Sequence, residues 1–179
     1  NGELGMETAT MNTIVAALKQ TYCGTIGVEF LHLTDPEEKD WVQKRIEEPR
    51  NKTDFTPEGK RAILQRLTAA EMFEQFLHKK YPGTKRFGVD GGEALIPCIE
   101  QIMKRGGQLG LEEIVVGMAH RGRLNVLTNV MNKSFTAIFA EFQGVFSGDV
   151  LGSGDVKYHL GTSSDRDFDG HSIHLSLTA

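Results

Sequence analysis

The run Ile114-Val115-Val116 stops at Gly117, and from Leu124 onward apolar residues recur at helical spacing. A β-branched run that ends on glycine and passes into a helical pattern reads as a buried strand, a turn and a helix. The chain is therefore expected to build at least one strand-to-helix unit, and its chemistry is expected on the turn. That turn carries His120, Arg121 and Arg123. In open sheets, turns at the carboxyl ends of strands bind ligands, and free N–H groups at a helix start favour an anion. Two guanidinium groups and an imidazole there read as a clamp for a phosphate or a carboxylate. The plainer reading has both arginines solvated and His120 capping the helix. A motif this short leaves the two readings open.

The charge balance narrows the kind of anion. A net charge of −4 and an isoelectric point near 5.9 argue against a nucleic-acid surface, which needs a clustered basic excess. The cations of the turn then serve a small anion. The 179 residues suit a domain with a core of real size. No apolar run approaches the roughly 20 residues of a membrane span, and no secretory pattern opens the chain. Cys23 and Cys98, far apart and each in an apolar setting, read as reduced thiols in or near the core. No zinc-like spacing links the histidines. The chain opens on Asn1 without an initiator methionine and closes on the strand-like run Ile173 to Ala179, so a segment of a longer polypeptide is expected.

Taken in order, Met11, Ile14, Val15, Leu18 and Tyr22 form one face of a helix, and Thr25 to Leu33 reads as a strand rich in branched and aromatic residues. Asp35-Pro36-Glu37-Glu38 is an N-cap, a proline and two first-turn acids, so a helix follows with Trp41, Val42 and Ile46 on its buried side until Pro49. The longest helix opens at Thr56-Pro57-Glu58, with Ile63, Leu67, Ala70, Phe73, Phe76 and Leu77 as its stripe up to about Tyr81. Lys85 to Glu93 reads as a short extended stretch leading through Gly91 and Gly92 into a helix. That helix carries Ala94, Leu95, Cys98, Ile99, Ile102 and Met103 on one face and closes at Gly106-Gly107. After the central turn, Ser134 to Phe142 gives another short helix. Gln143 to Gly170 reads as a long irregular region rich in Gly, Ser and Asp, interrupted by Val156 to Leu160. His159 lies in it beside Lys157; a loop histidine is either a second anion contact or simply solvated. Strand, helix, strand, helix in the second half points to an α/β layered domain with a parallel sheet, preceded by a mainly helical region over 1–82.

Four stretches read together are more specific than any one alone: Lys19 to Phe30 (KQTYCGTIGVEF), Lys85 to Pro97 (KRFGVDGGEALIP), Gly117 to Leu127 (GMAHRGRLNVL) and Gly152 to Gly161 (GSGDVKYHLG). In this order they resemble the decarboxylating first component of the 2-oxoglutarate dehydrogenase complex, a thiamine-diphosphate enzyme. The resemblance implies a parallel-sheet thiamine-diphosphate-binding fold, present in part over 83–179 and truncated at its C-terminal end. It implies that Arg121 contacts the cofactor and that His120 and His159 line the active centre and help to bind the 2-oxo acid. Ser163, four residues after the second histidine, comes near substrate by the same reasoning, although the pattern after Gly161 varies.

The resemblance further implies that thiamine diphosphate supplies the electron sink for decarboxylation and that the succinyl fragment passes to a lipoyl-bearing acyltransferase partner. It implies Mg2+ as second cofactor. The family's metal motif, a Gly-Asp pair with a later asparagine, is not matched by Gly148-Asp149 or Gly154-Asp155, so the metal ligands are expected outside this chain and the segment alone is expected not to turn over. A homodimer in the intact enzyme is implied, in a bacterial cytoplasm or, for a eukaryotic chain, the mitochondrial matrix. Two alternatives stand beside this reading. One is a paralogue acting on 2-oxoadipate; the other is a non-catalytic assembly module, which requires an exposed apolar surface on the helices between Met6 and Tyr81.

Overall fold

The computed structural model describes residues 4–144, 158 and 161–178. The chain divides into two compact units, Asn1–Thr56 and Pro57–Ala179. Among the described residues no helix is long and apolar enough to cross a membrane.

The first unit is built on two helices, α1 (Met11–Tyr22) and α2 (Pro36–Glu47). Thr10 caps α1 by accepting the Thr13 N–H at 3.2 Å, and Asp35 caps α2 by accepting the Glu37 N–H at 2.8 Å, with Pro36 in the first turn. The apolar face expected on α1 is largely exposed. Only Ala17 and Thr21 are buried on this helix, and Met11 remains 72% exposed. The strand expected over Thr25 to Leu33 does not form: the segment has no ladder and turns at Leu31-His32, and Ile26, Val28 and Leu31 are exposed while Phe30 is buried. Strand propensity is realised only against a partner strand. Here the Ile26 carbonyl is held by the side-chain amide of Asn51 at 2.9 Å, and Asn51 itself sits in the left-handed region with φ 52°.

The second unit begins with α3 (Pro57–Lys80), which buries Ala70, Phe73, Glu74 and Leu77. Helix α4 (Leu95–Gln108) buries Ile96, Met103, Gly106 and Gly107, a face rotated from the expected one. Leu95 and Ile102 are exposed, and so is Cys98, as is Cys23 in the first unit; neither thiol is a core residue. The rotation has a steric cause. A Cβ at Gly107 would lie 3.0 Å from the Ile173 Cδ1 atom, and one at Gly106 would lie 2.7 Å from the Leu111 Cδ1 atom, so the glycines let the helix approach its neighbours closely. The helix runs past Gly106-Gly107 to Gln108, and beyond its cap Gly110, with φ of 89°, turns the chain so that Leu111 donates to the Gly106 carbonyl.

The sheet has three strands, β1 (Glu113–Val116), β2 (Thr162–Phe168) and β3 (His171–Leu177), in the order β1-β3-β2. Strands β1 and β3 are parallel, with Val116 opposite Leu177, whereas β2 and β3 form an antiparallel hairpin with Phe168 opposite His171. The sheet is therefore mixed rather than wholly parallel. Strand β2 falls inside the region expected to be irregular. Its half-buried or buried positions are Thr162, Ser164, Arg166 and Phe168, a single apolar residue among four, so hydrophobic alternation is almost absent. The hairpin signal is Asp169-Gly170, both at positive φ (56° and 84°), as a tight primed turn requires. Lys85 to Val89, expected to be extended, carries no ladder.

After β1 the helical run comprises α5 (Arg123–Asn125) and a π-helical turn over Val126–Val130, followed by α6 (Phe135–Phe142). One core joins these elements: Leu77, Ile96, Met103, Leu127, Ile138, Ile173 and Leu175 are all essentially inaccessible.

Tyr22 and Glu47 give the first unit a defined response to alkali. The Tyr22 hydroxyl donates to Glu47 Oε1 at 2.6 Å. Partial burial and the adjacent carboxylate push the phenol up to about 12 from 10.0. The folded state therefore keeps a proton that the unfolded chain releases, so this contribution is complete below pH 10.0 and is lost as pH rises towards about 12. Urea denaturation across that window is expected to show declining stability, and Tyr22→Phe is expected to flatten the decline.

Candidate functional site

Strand β1 ends at Val116, whose carbonyl accepts the Thr178 N–H at 3.0 Å, and the chain then turns through Gly117 to Gly122 into α5. Gly122 is the pivot. Its φ of 74° suits glycine, and a Cβ there would lie 3.0 Å from Val89 Cγ2. Its N–H donates to the Phe87 carbonyl at 2.7 Å, and the Arg123 N–H donates to the His120 carbonyl at 3.0 Å. Those two amides are thus committed within the protein, so an anion at this turn meets side-chain donors before it meets them.

The two arginines of the turn have opposite fates. Arg121 is exposed and donates to the Gly88 carbonyl at 3.2 Å. Among the described residues no carboxylate lies within ion-pair distance of it. Arg123 is 1% exposed and donates inward, to the Met118 carbonyl at 3.3 Å and to the Thr178 carbonyl. Its burial lowers the guanidinium's pKa from the usual value. The clamp of two arginines expected from the sequence is accordingly one outward cation and one internal tie.

His120 is half-buried and packs against two aromatic rings. Phe87 lies 5.4 Å from it, centroid to centroid, at 52°, and Tyr158 lies 5.4 Å away at 28°. Phe87 and Tyr158 meet each other edge-on at 5.0 Å. Tyr158 is buried, with its hydroxyl on the Lys85 carbonyl at 2.5 Å. Through Tyr158 the KYHLG stretch reaches the turn; His159 itself lies outside the described residues. Ser163 is on β2, exposed, and opposite Ser176 of β3. The register puts it at the end of the sheet from which the turn leaves, one strand beyond β3.

Below the turn, the buried Glu74 of α3 accepts the Val89 N–H at 3.2 Å and the Asn125 side-chain amide at 3.0 Å. Asn125 also donates to the Ala70 carbonyl at 3.0 Å. This network fixes the loop that receives both Arg121 and Gly122. Among the described residues no group of three or more His, Cys, Asp and Glu side chains converges as a metal site.

Sequence reasoning missed Phe87, Tyr158 and the inward role of Arg123. The two aromatics fall in the motif stretches but carry no periodic signal, and nothing in a strand-HRGR-helix pattern says which arginine turns inward.

A mixed α/β layer with a cationic turn at the carboxyl end of a parallel strand defines a protein of the class that places its ligand chemistry at strand ends. The chain is 65% identical over 178 residues to the 2-oxoglutarate dehydrogenase E1 components of Brucella canis, Brucella suis and Brucella abortus, a match covering 98% of this chain. It spans 18% of the length of these relatives. No protein-family model matches the chain.

The two arginines separate in a stability measurement. Arg123→Met, which strips two main-chain carbonyls of their donor, is expected to cost about 2–4 kcal/mol in urea denaturation. Arg121→Met is expected to stay within about 0.5 kcal/mol of the parent.

Proposed function

We propose that this chain supplies part of the active centre of a thiamine-diphosphate-dependent 2-oxoglutarate dehydrogenase. The observation that carries the reading is the exposed Arg121 guanidinium beside a half-buried His120 packed on two aromatic rings, on a segment 65% identical to E1 components. In this reading the three-stranded layer forms part of a thiamine-diphosphate-binding fold over 83–179.

The residues present fit an anionic cofactor: Arg121 projects from a turn whose nearest amides are already paired, so its charge answers a diphosphate. Bound there, thiamine diphosphate would supply the electron sink that decarboxylation of a 2-oxo acid needs. The chain's own part is to bind and orient. Arg121 holds the diphosphate. His120 and His159 donate hydrogen bonds to the carboxylates or the 2-oxo oxygen of the substrate. Ser163 contacts substrate from the neighbouring strand. Mg2+ is held by residues outside this chain. The succinyl group passes to a lipoyl-bearing acyltransferase of the complex, and the intact enzyme is a homodimer of the bacterial cytoplasm or the mitochondrial matrix. The substrate is 2-oxoglutarate, with 2-oxoadipate as the competing choice within the same chemistry.

Carbon dioxide release from 2-oxoglutarate and from 2-oxoadipate, by a full-length E1 chain carrying this segment with thiamine diphosphate and magnesium, tests the reading. Arg121→Ala is expected to lower activity at limiting cofactor by about tenfold to a hundredfold and to recover partly with excess cofactor. His120→Ala is expected to lose about a hundredfold at any cofactor concentration. The 179-residue chain is the control expected to show no turnover. Two variants as active as the parent would sink the assignment.

One observation favours an assembly role as a second reading for the first unit. Met11, Val15, Leu18 and Tyr22 form a continuous stripe along α1 and are 72%, 42%, 38% and 42% exposed. If the stripe docks the acyltransferase, Val15→Glu with Leu18→Glu abolishes co-sedimentation of the E1 chain with that partner and leaves carbon dioxide release unchanged. Undiminished co-sedimentation would remove the assembly reading.

A further inference from the structure

The conformation of Phe87 is not explained by burial. Its φ of 45° lies in the left-handed region, sparsely populated by bulky aromatic residues, yet the residue is still 36% exposed. A core side chain does not need such a backbone to remain partly in water. What this conformation accompanies is a double engagement with the turn: the Phe87 carbonyl receives the Gly122 N–H at 2.7 Å, and its ring stands 5.4 Å from the His120 imidazole. Tyr158 adds a second ring contact beside it. Its ring lies 5.4 Å from His120 at 28° and meets Phe87 edge-on at 5.0 Å, and its hydroxyl is anchored on the Lys85 carbonyl, two residues before Phe87. The three rings form a closed triangle with both ends tied to one short loop.

Resting on the reading that His120 faces the 2-oxo acid, we propose that Phe87 and Tyr158 are positioning residues, an aromatic clasp that fixes the plane of the His120 imidazole. Two ring contacts at different tilts restrict both side-chain torsions of the histidine, so its nitrogens point along a set direction before substrate arrives. The clasp acts on His120 and not on Arg121, whose bond runs to Gly88 instead. Loosening the clasp therefore affects the substrate and spares the cofactor.

The test uses a full-length E1 chain carrying this segment, with kcat and KM for 2-oxoglutarate and the Kd for thiamine diphosphate measured for each variant. Phe87→Gly removes the ring while a glycine adopts the same φ without strain, so folding is retained. Tyr158→Phe keeps the ring and loses only the hydroxyl anchor. Phe87→Gly and Tyr158→Leu are expected to lower kcat/KM by about tenfold to a hundredfold, and Tyr158→Phe by about fivefold, with the cofactor Kd within about twofold of the parent. Combined with His120→Ala, neither ring deletion lowers the rate further by more than about twofold, because the group being positioned is already gone. Multiplying losses in the double variants, or a cofactor Kd that rises in step with KM, would reduce the clasp to ordinary packing and overturn the proposal. If His120→Ala collapses activity and the ring deletions do not, the clasp alone fails. If His120→Ala is without effect, the reading of the site fails and the clasp with it.

Discussion

A buried guanidinium organises the end of the sheet from which the turn leaves. Arg123 leaves the first turn of α5, points back beneath the turn, and donates to the Met118 carbonyl after β1 and the Thr178 carbonyl after β3. Strands β1 and β3 are neighbours in a parallel pair, and parallel strands end without a hairpin to hold their carboxyl ends together. A side chain with several donors in a rigid fork performs that task where a lysine's single ammonium would not. Burying a charge is unfavourable unless it is well hydrogen-bonded, and main-chain carbonyls provide those bonds here. The same geometry leaves Arg121, two residues earlier, facing outward.

The loop on the other side of the turn is held from α3. Glu74 accepts from the Val89 N–H and from Asn125, and Asn125 reaches the Ala70 carbonyl, so one helix, one loop and the start of α5 share a buried polar network. Gly88 has no room for a side chain beside it: a Cβ there would meet the Glu74 carboxylate at 2.7 Å. With Gly122 packed on Val89, the loop and the turn are in contact along their backbones. That closeness lets Gly88 receive Arg121 and Phe87 receive Gly122, and it brings the Phe87 ring to His120.

Much of the helical architecture was legible because its signals are local. Asp35-Pro36-Glu37-Glu38 and Ser134 mark helix starts by capping chemistry that needs no tertiary partner, and α3 buries Ala70, Phe73 and Leu77 of its expected stripe, whereas Phe76 of that stripe and Trp41 of α2, expected inside, are exposed. Pattern and structure part where a partner decides the outcome. Thr25 to Leu33 has strand composition and no strand beside it, whereas Thr162 to Phe168 lacks an apolar face and is a strand because β3 offers it a ladder. Helix α4 turns its glycines inward for the sake of Ile173 and Leu111, which moves Cys98 to the surface. The candidate site was legible as a cationic turn with His120 and Arg121. Its aromatic packing was not, because Phe87 and Tyr158 are far apart in sequence and meet only through the fold.

By itself the sequence determined the strand-turn-helix at residues 113–125, the helix starts set by caps, and, through its motif stretches, the similarity to 2-oxoglutarate dehydrogenase E1 components. These are properties of neighbouring residues: periodicity, capping side chains and short motifs act within a few positions. Tertiary structure alone decided that the sheet is mixed, that Arg123 faces inward while Arg121 faces outward, and that His120 packs against both Phe87 and Tyr158. The physical reason is that ladder pairing, burial and ring contacts are relations between distant segments. Two arginines separated by one glycine are chemically identical until a carbonyl from another strand selects one of them.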